Sequence, residues 1–406
     1  ITTLVFKEIK NGTFTFKNFY KRRAARLLPA LILTFIIVLI FGFIFYNNKV
    51  FDNLGKELFF SSFGAANILY AQGINYFAKD EAYQPLIHLW SLGVEEQFYI
   101  IWPILLIIAY KFNKSVIIPM VYVLFIVSLA LSVNEVNELS TAGYFLLQYR
   151  AFELLVGVII ALHLQHNENE NVPEIIKKLL SYFGIILIIT PMFLLNENSS
   201  FPGYNALWPC LGTALIISFP NSGLITKLLS NKIFIFIGLI SYPLYLYHQP
   251  LISFIHFLNL NLNPFQIFLI VSSVAILCSW LTYRFIETPI RRLSNSNEKK
   301  GSSVVVGILI TSIPFFALLG FGIAKSNGFE QRFNFLNPFA LEVANAHASS
   351  FHKNFERGFK VSSQKSSKAL FVGDSVLQQY VLPIKEALKL EHDSIDTITR
   401  GGCVLL

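Results

Sequence analysis

Nine apolar runs, most of them near the ~20 residues that a bilayer core demands, follow one another down this chain. They are Leu28–Tyr46, Leu86–Tyr110, Val116–Val133, Gly143–Leu162, Leu179–Leu195, Tyr204–Phe219, Ile233–Ile252, Phe265–Phe285 and Val304–Ala324. A soluble fold has no place for them. Charged residues make up only 14% of the 406 and hydrophobic residues 54%, whereas soluble domains carry about 25% charge. The chain therefore reads as a polytopic membrane protein, an all-α helix bundle for most of its length. Disorder, collagen, coiled coil and small disulfide scaffolds are excluded. The segment Glu57–Gln72, weakly apolar and rich in Ser, Gly and Ala, reads as a re-entrant or interfacial piece rather than a span.

The net charge of +8 bears on topology rather than on nucleic acid, which is not expected as a partner. Lys and Arg cluster before the first run (Lys7 to Arg26), at Lys111 and Lys114, at Lys177 and Lys178, at Lys227 and Lys232, and between Arg284 and Lys300. The loops that alternate with these, Asn134–Leu139, Asn196–Gly203 and His256–Pro264, hold neither Lys nor Arg. The basic loops are placed in the cytoplasm, and nine crossings that start inside finish outside. The segment after Ala324 is thereby expected to be extracytoplasmic. It is polar as far as Lys368. It then reads as a strand (Ala369–Val372), a Gly373-Asp374-Ser375 turn, a helix over Val376–Leu390, a strand over Ser394–Thr399 and a Gly401-Gly402 turn: the opening β-α-β of an α/β domain. The three cysteines show no metal-ligand spacing, and no metal is expected.

Six places carry polar chemistry. Arg23 and Arg26 share a helix face at a cytoplasmic mouth; they are headgroup anchors or a grip on phosphate oxygens, and spacing alone does not choose. In His88-Leu-Trp-Ser-Leu-Gly-Val-Glu-Glu-Gln-Phe-Tyr99, the residues His88, Ser91, Glu95, Tyr99 and Trp102 fall within about 80° of one another on a helix. Such a stripe lines a cavity or forms an interhelical hydrogen-bond network, and Glu96 points away from it, toward solvent. Arg150 and Glu153, inside the fourth run, are a structural ion pair or a functional one. Ser241, Tyr245 and His248 share a face between Pro243 and Pro250; a histidine there is a core hydrogen-bonder or a catalyst. The stretch Tyr283–Arg292, with Glu287, sits at a cytoplasmic helix end. Ser375 at a strand-to-helix turn would expose its hydroxyl beside backbone N–H groups able to hold an oxyanion, although the second glycine of a G-x-S-x-G elbow is missing.

The blocks Phe19–Ala30, His88–Tyr99, Ser241–Pro250, Tyr283–Arg292 and Phe371–Ser375 stand in family order along nearly the whole chain. Through them the chain resembles the acyltransferase-3 family of membrane O-acyltransferases, in the subgroup fused to an extracytoplasmic SGNH domain. The resemblance implies transfer of an acyl group, usually acetyl, from cytoplasmic acetyl-CoA to a cell-envelope glycan such as O-antigen, lipooligosaccharide, capsule or peptidoglycan. It implies a bacterial inner membrane, with membrane lipids and the glycan as partners and the C-terminal domain in the periplasm. By resemblance Arg23 and Arg26 hold the CoA phosphates, Glu95 and His88 are catalytic, and Ser91, Arg150, Glu153, Tyr245, His248 and Glu287 line the cavity. Ser375 is the SGNH nucleophile, and Gly402 helps form its oxyanion hole. The expected domains are residues 1–302 (the acyltransferase bundle), 303–324 (a further transmembrane helix), 325–368 (linker) and 369–406 (the start of the SGNH domain). The family's first span, with an Arg and a His regarded as catalytic, would precede Ile1, and the SGNH Asp and His would follow Leu406. The chain is thus expected to be a fragment, inactive by itself. Two other readings stay open at this stage: a glycan esterase anchored by a membrane domain, and a transporter, which polar stripes and proline-broken helices suit equally.

Overall fold

The computed structural model describes residues 1–72, 84–137, 141–164, 172–196, 199–220, 223–258, 260, 262–295, 299–329, 332, 359–360, 369–373 and 395–399, the last three stretches and 299–305 by their backbone. Its order is α1 (Thr2–Lys10), α2 (Phe16–Phe45), α3 (Asn48–Ser62), α4 (Ala66–Tyr70), α5 (Leu89–Phe112), α6 (Ile117–Asn137), α7 (Ala142–Phe145) and α8 (Leu147–Leu164). There follow α9 (Glu174–Leu194), α10 (Leu207–Ser218), α11 (Leu224–Leu229), α12 (Lys232–Phe257), α13 (Pro264–Thr282), a π-helical turn (Tyr283–Glu287), α14 (Thr288–Asn295) and α15 (Lys299–Lys325). Strands β1 (Phe359–Lys360), β2 (Ala369–Gly373) and β3 (Ile395–Thr399) come last.

Among the described residues seven helical segments are long and apolar enough to cross a membrane, two fewer than the apolar runs suggest. Tyr204–Phe219 is one correction. A 3-10 turn occupies Gly203–Ala206 and leaves a 12-residue α10, about 18 Å long and short of a ~30 Å hydrocarbon core. Ile233–Ile252 forms α12, which at 26 residues has the length to cross a membrane but, with Ser241, Tyr245, His248 and Gln249 along it, is not among the seven. The membrane helices carry internal prolines, Pro29 in α2 and Pro103 in α5, which packed neighbours tolerate.

Two compact units divide the chain. The larger comprises Ile1–Leu39 with Leu54–Gly322. Its core includes Val5, Phe19, Phe98, Trp102, Leu106, Val121 and Leu155, which join α1, α2, α5, α6 and α8. Trp102 closes this core by donating its indole N–H to Thr2 Oγ1 at 3.0 Å. Helix α15 packs on α2 through Phe316 and Phe35, with ring centroids 5.5 Å apart. The weakly apolar piece after α3 turns at Gly64 (φ +64°) and runs as the short α4 against α5. Gly93 permits that approach: a Cβ there would lie 2.8 Å from Asn67 Oδ1 and 2.9 Å from Gly64 O. Gln97 donates to the same two oxygens, at 2.8 Å and 3.3 Å.

The smaller unit comprises Ile40–Asn53 with Ile323–Leu406. In it Arg332 donates to the carbonyls of Gly42 and Tyr46 at the end of α2, and its guanidinium carbon lies 4.0 Å from the centre of the Phe51 ring. Burial lowers its pKa to about 10. The strands order as β1-β3-β2, with β1 antiparallel to β3 and β2 parallel to it, Ala369 opposite Ile395 and Gly373 opposite Thr399. A parallel pair needs a crossover. The helix expected over Val376–Leu390 falls outside the described residues, as do Ser375 and Gly402.

Candidate functional site

Arg23 enters the site from the third turn of α2. Arg23 donates from Nε to Glu96 Oε1 of α5 at 3.0 Å, and its guanidinium carbon lies 3.3 Å above the centre of the Tyr99 ring. The two side chains of the pair are 16% and 28% exposed. Glu96 stands 16 residues before Phe112, about 24 Å along the helix axis, so the pair lies well inside α5 rather than at its end. Glu96 therefore turns to Arg23 and not to solvent, because an arginine from another helix reaches the side of α5 that a helical wheel leaves unassigned. Tyr99 completes the corner, donating its hydroxyl to Glu95 Oε2 at 3.1 Å, while Tyr20 donates to the Tyr99 carbonyl at 3.3 Å. Tyr242 of α12 donates to the Leu27 carbonyl at 3.0 Å and feels the charges of Glu95, Glu96, Glu287 and Arg23. Glu287 sits on the π-helical turn, a deformation frequent at functional sites. It is buried, lies within electrostatic reach of Arg26, and meets Arg291 Nη1 at 3.8 Å.

The second corner is built around the residues that enter α5. Their backbone is held at three points by side chains of α3 and α12. Gln249 donates to the Gln84 carbonyl at 3.4 Å, the Leu86 N–H donates to Glu57 Oε2 at 3.0 Å, and the Tyr245 hydroxyl donates to the His88 carbonyl. That hydroxyl also meets Ser91 Oγ at 2.6 Å. The His88 imidazole, only 2% exposed, sits with its ring centre 5.1 Å from Tyr245 and 5.3 Å from His248. His248 Nδ1 is 2.6 Å from the Tyr245 carbonyl.

The two corners are consecutive turns of the same two helices. On α5 the order is Tyr99, then Glu95 and Glu96, then Ser91, then His88; on α12 it is Tyr242, Tyr245, His248. They form one row of polar side chains, with guanidinium and carboxylate at one end and paired imidazoles at the other. Such a row can hold an anion at the first end and take up or release a proton at the second. Of the expected residues, Arg23, His88, Ser91, Glu95, Tyr245 and His248 lie along this row, while Arg26 is exposed and Glu287, on the π-helical turn, meets Arg291 instead.

Arg150 and Glu153 stand apart. They lie in the first two turns of α8, paired at 3.1 Å, with the Arg150 guanidinium 5.3 Å from the centre of Trp90 and 5.4 Å from those of Tyr144 and Phe201. They meet the Trp90 side of α5 rather than the His88 row. Glu57 is the functional candidate that sequence reasoning missed. It is 3% exposed, and burial raises its carboxyl pKa from 4.5 to about 8, against the opposing effect of the Leu86 N–H. The available signal was an acid inside a weakly apolar segment, which is expensive unless it has a task. Among the described residues no three His, Cys, Asp or Glu side chains gather as a metal site.

Comparison with known proteins bears on this geometry. Residues 9–284 match the family described as "Acyltransferase domain", Acyl_transf_3. A Staphylococcus aureus (strain MRSA252) protein described as a "Putative O-acetyltransferase" is 29% identical over 93% of this chain and 67% of its own length. The O-acetyltransferase OatA of S. aureus (strain NCTC 8325 / PS 47) is 29% identical over 72% of this chain and 50% of its own length. An uncharacterized protein of Haemophilus influenzae (strain Rd) is 31% identical over 53% of this chain and 92% of its own. No solved structure matches.

Proposed function

The chain belongs to the acyltransferase-3 family and is a multi-pass membrane acyltransferase, and from that premise we propose that it moves an acetyl group from cytoplasmic acetyl-CoA to hydroxyls of a cell-envelope glycan. The observation that carries the reading is the polar row on α5 and α12, which joins Arg23 and Glu96 at one end to His88, Tyr245 and His248 at the other. Arg23 and Arg26 take the donor's phosphates, for which guanidinium forks are suited. His88 and His248 accept the proton of the attacking hydroxyl. The ester C–O bond forms as the thioester C–S bond breaks, and the proton ends on the departing thiol. The names of the S. aureus relatives, O-acetyltransferases, support acetyl as the group and oxygen as the acceptor.

We place the protein in a bacterial cytoplasmic membrane with its C-terminal part outside. The parallel β2–β3 pair supports reading residues 369–406 as the opening of an SGNH domain, with Ser375 as nucleophile and Gly402 at its oxyanion hole. In this scheme the hydroxyl that attacks the thioester is that of Ser375. The sugar hydroxyl then attacks the resulting seryl acetate, its C–O bond forming as the seryl C–O bond breaks and its proton returning to the serine oxygen. An oxyanion hole of this kind lowers such a barrier by about 3–4 kcal/mol.

The test is mass spectrometry of surface glycans from wild-type and deletion strains, before and after mild base. Loss of a base-labile acetyl-sized mass in the deletion strain is expected. A gain of that mass would identify an esterase, and no change in any glycan would return the transporter reading.

A further inference from the structure

We infer that Glu96, together with the Tyr99 ring, is a positioning device for Arg23: it fixes the plane of the guanidinium so that the far edge of the fork is presented to an anionic ligand. The inference deepens the donor-binding reading above and rests on it.

The geometry has three parts. Glu96 Oε1 accepts from Arg23 Nε at 3.0 Å, which pins the edge nearest the side-chain stem. The Tyr99 ring lies 3.3 Å beneath the guanidinium carbon, which pins the face. Tyr99 is itself held, its hydroxyl on Glu95 Oε2 at 3.1 Å and its carbonyl on the Tyr20 hydroxyl at 3.3 Å. An arginine fixed at one edge and one face has lost its rotamer freedom before any ligand arrives. Its two terminal nitrogens form the edge that matches two phosphate oxygens. Among the described residues Glu96 is the sole ion-pair partner of Arg23, so that edge carries no competing carboxylate.

The alternative is that Glu96 occupies the site as a substitute anion, which the ligand must displace. Contact through Nε alone argues against it, because a carboxylate filling a phosphate site takes the terminal fork in the bidentate manner. The two ideas predict opposite signs, so one substitution separates them.

The experiment uses the full chain in detergent, with coenzyme A as the probe in an equilibrium binding assay, and acetyl-CoA in steady-state transfer. Glu96→Ala frees the guanidinium, and a dissociation constant for coenzyme A raised about ten-fold is expected, with KM for acetyl-CoA raised alike and kcat within about two-fold. Glu96→Gln keeps an acceptor for Nε without the charge, and is expected to recover most of the loss. Since Glu96 acts through Arg23, adding Glu96→Ala to Arg23→Ala is expected to weaken binding no further. Tighter binding in Glu96→Ala would establish a displaced anion and overturn the inference, and additive losses in the double variant would overturn it as well. Coenzyme A binding that is indifferent to both Glu96 variants overturns this inference alone. A wild-type chain that binds no coenzyme A overturns the donor reading and the inference with it.

Discussion

Replacing Glu57 by glutamine should make the protein more stable at alkaline pH while leaving it unchanged in acid. Glu57 is 3% exposed, and its carboxyl pKa is raised from 4.5 in the unfolded chain to about 8 in the folded one. A raised folded-state pKa means that the folded protein binds the proton more tightly. The stabilising contribution is complete below pH 4.5 and is lost progressively as pH rises to about 8. At 1.36 kcal/mol for each tenfold change in proton affinity, the loss amounts to about 5 kcal/mol once the carboxyl is fully ionised. A glutamine side chain at this position would keep an oxygen for the Leu86 N–H, which is 3.0 Å away in the native pair, and would not titrate. The assay is thermal unfolding of the full chain in one detergent at pH 5, 7 and 9, for wild type and Glu57→Gln. The two melting temperatures should lie close together at pH 5, with the variant melting clearly higher by pH 7 and higher still at pH 9, since most of the loss falls between pH 4.5 and about 8. Parallel curves across the range would refute the reasoning, since they would mean that the carboxyl reaches water or a cation in the folded state. Glu57→Ala supplies the control: it orphans the Leu86 N–H at every pH, at a cost of about 1–3 kcal/mol.

Tyr245→Phe removes the hydroxyl shared by Ser91 and the His88 carbonyl; transfer should fall about ten-fold or more, with the donor KM unchanged, because His88 is loosened while the arginine end is untouched. Gly184→Val should destabilise the packing of α9 on α10 by about 1–3 kcal/mol, measured as a lower melting temperature, since a Cβ at Gly184 falls 2.7 Å from the Gly212 carbonyl. Arg150→Met should cost about 3 kcal/mol by stranding the half-buried Glu153, and the double variant Arg150→Met, Glu153→Gln should recover part of that loss in the same melt.

Membrane insertion was legible in the sequence because it is a property of single segments. A run such as Val116–Val133 cannot sit in water whatever its neighbours do, and seven such helices are present among the described residues. The stripe on α5 was legible for the same reason: His88, Ser91, Glu95 and Tyr99 come to one side by helical geometry alone, and the i,i+4 bond from Tyr99 to Glu95 follows from it. Span length was less legible where a run contained its own break, as Gly203–Ala206 does ahead of α10. Hydropathy over a window records composition and is blind to a turn inside it.

What chain periodicity could not supply was which stripe faces which. Helical spacing left Glu96 pointing outward and left Arg150 a structural or a functional pair with Glu153. Only the packing of α2 against α5 turned Glu96 into the counter-ion of Arg23, 73 residues away in sequence, and only the docking of α8 beside Trp90 set the Arg150 guanidinium over that ring. Glu57 belongs to the same class, because its partner is a backbone N–H 29 residues downstream, in the turn that leads into α5. Sequence determined this protein's solvent, its helices and the side chains each helix displays, all set by local geometry and transfer free energy. Tertiary structure decided the pairings across helices, because a long-range contact depends on the relative rotation and depth of two helices, which neither helix encodes by itself.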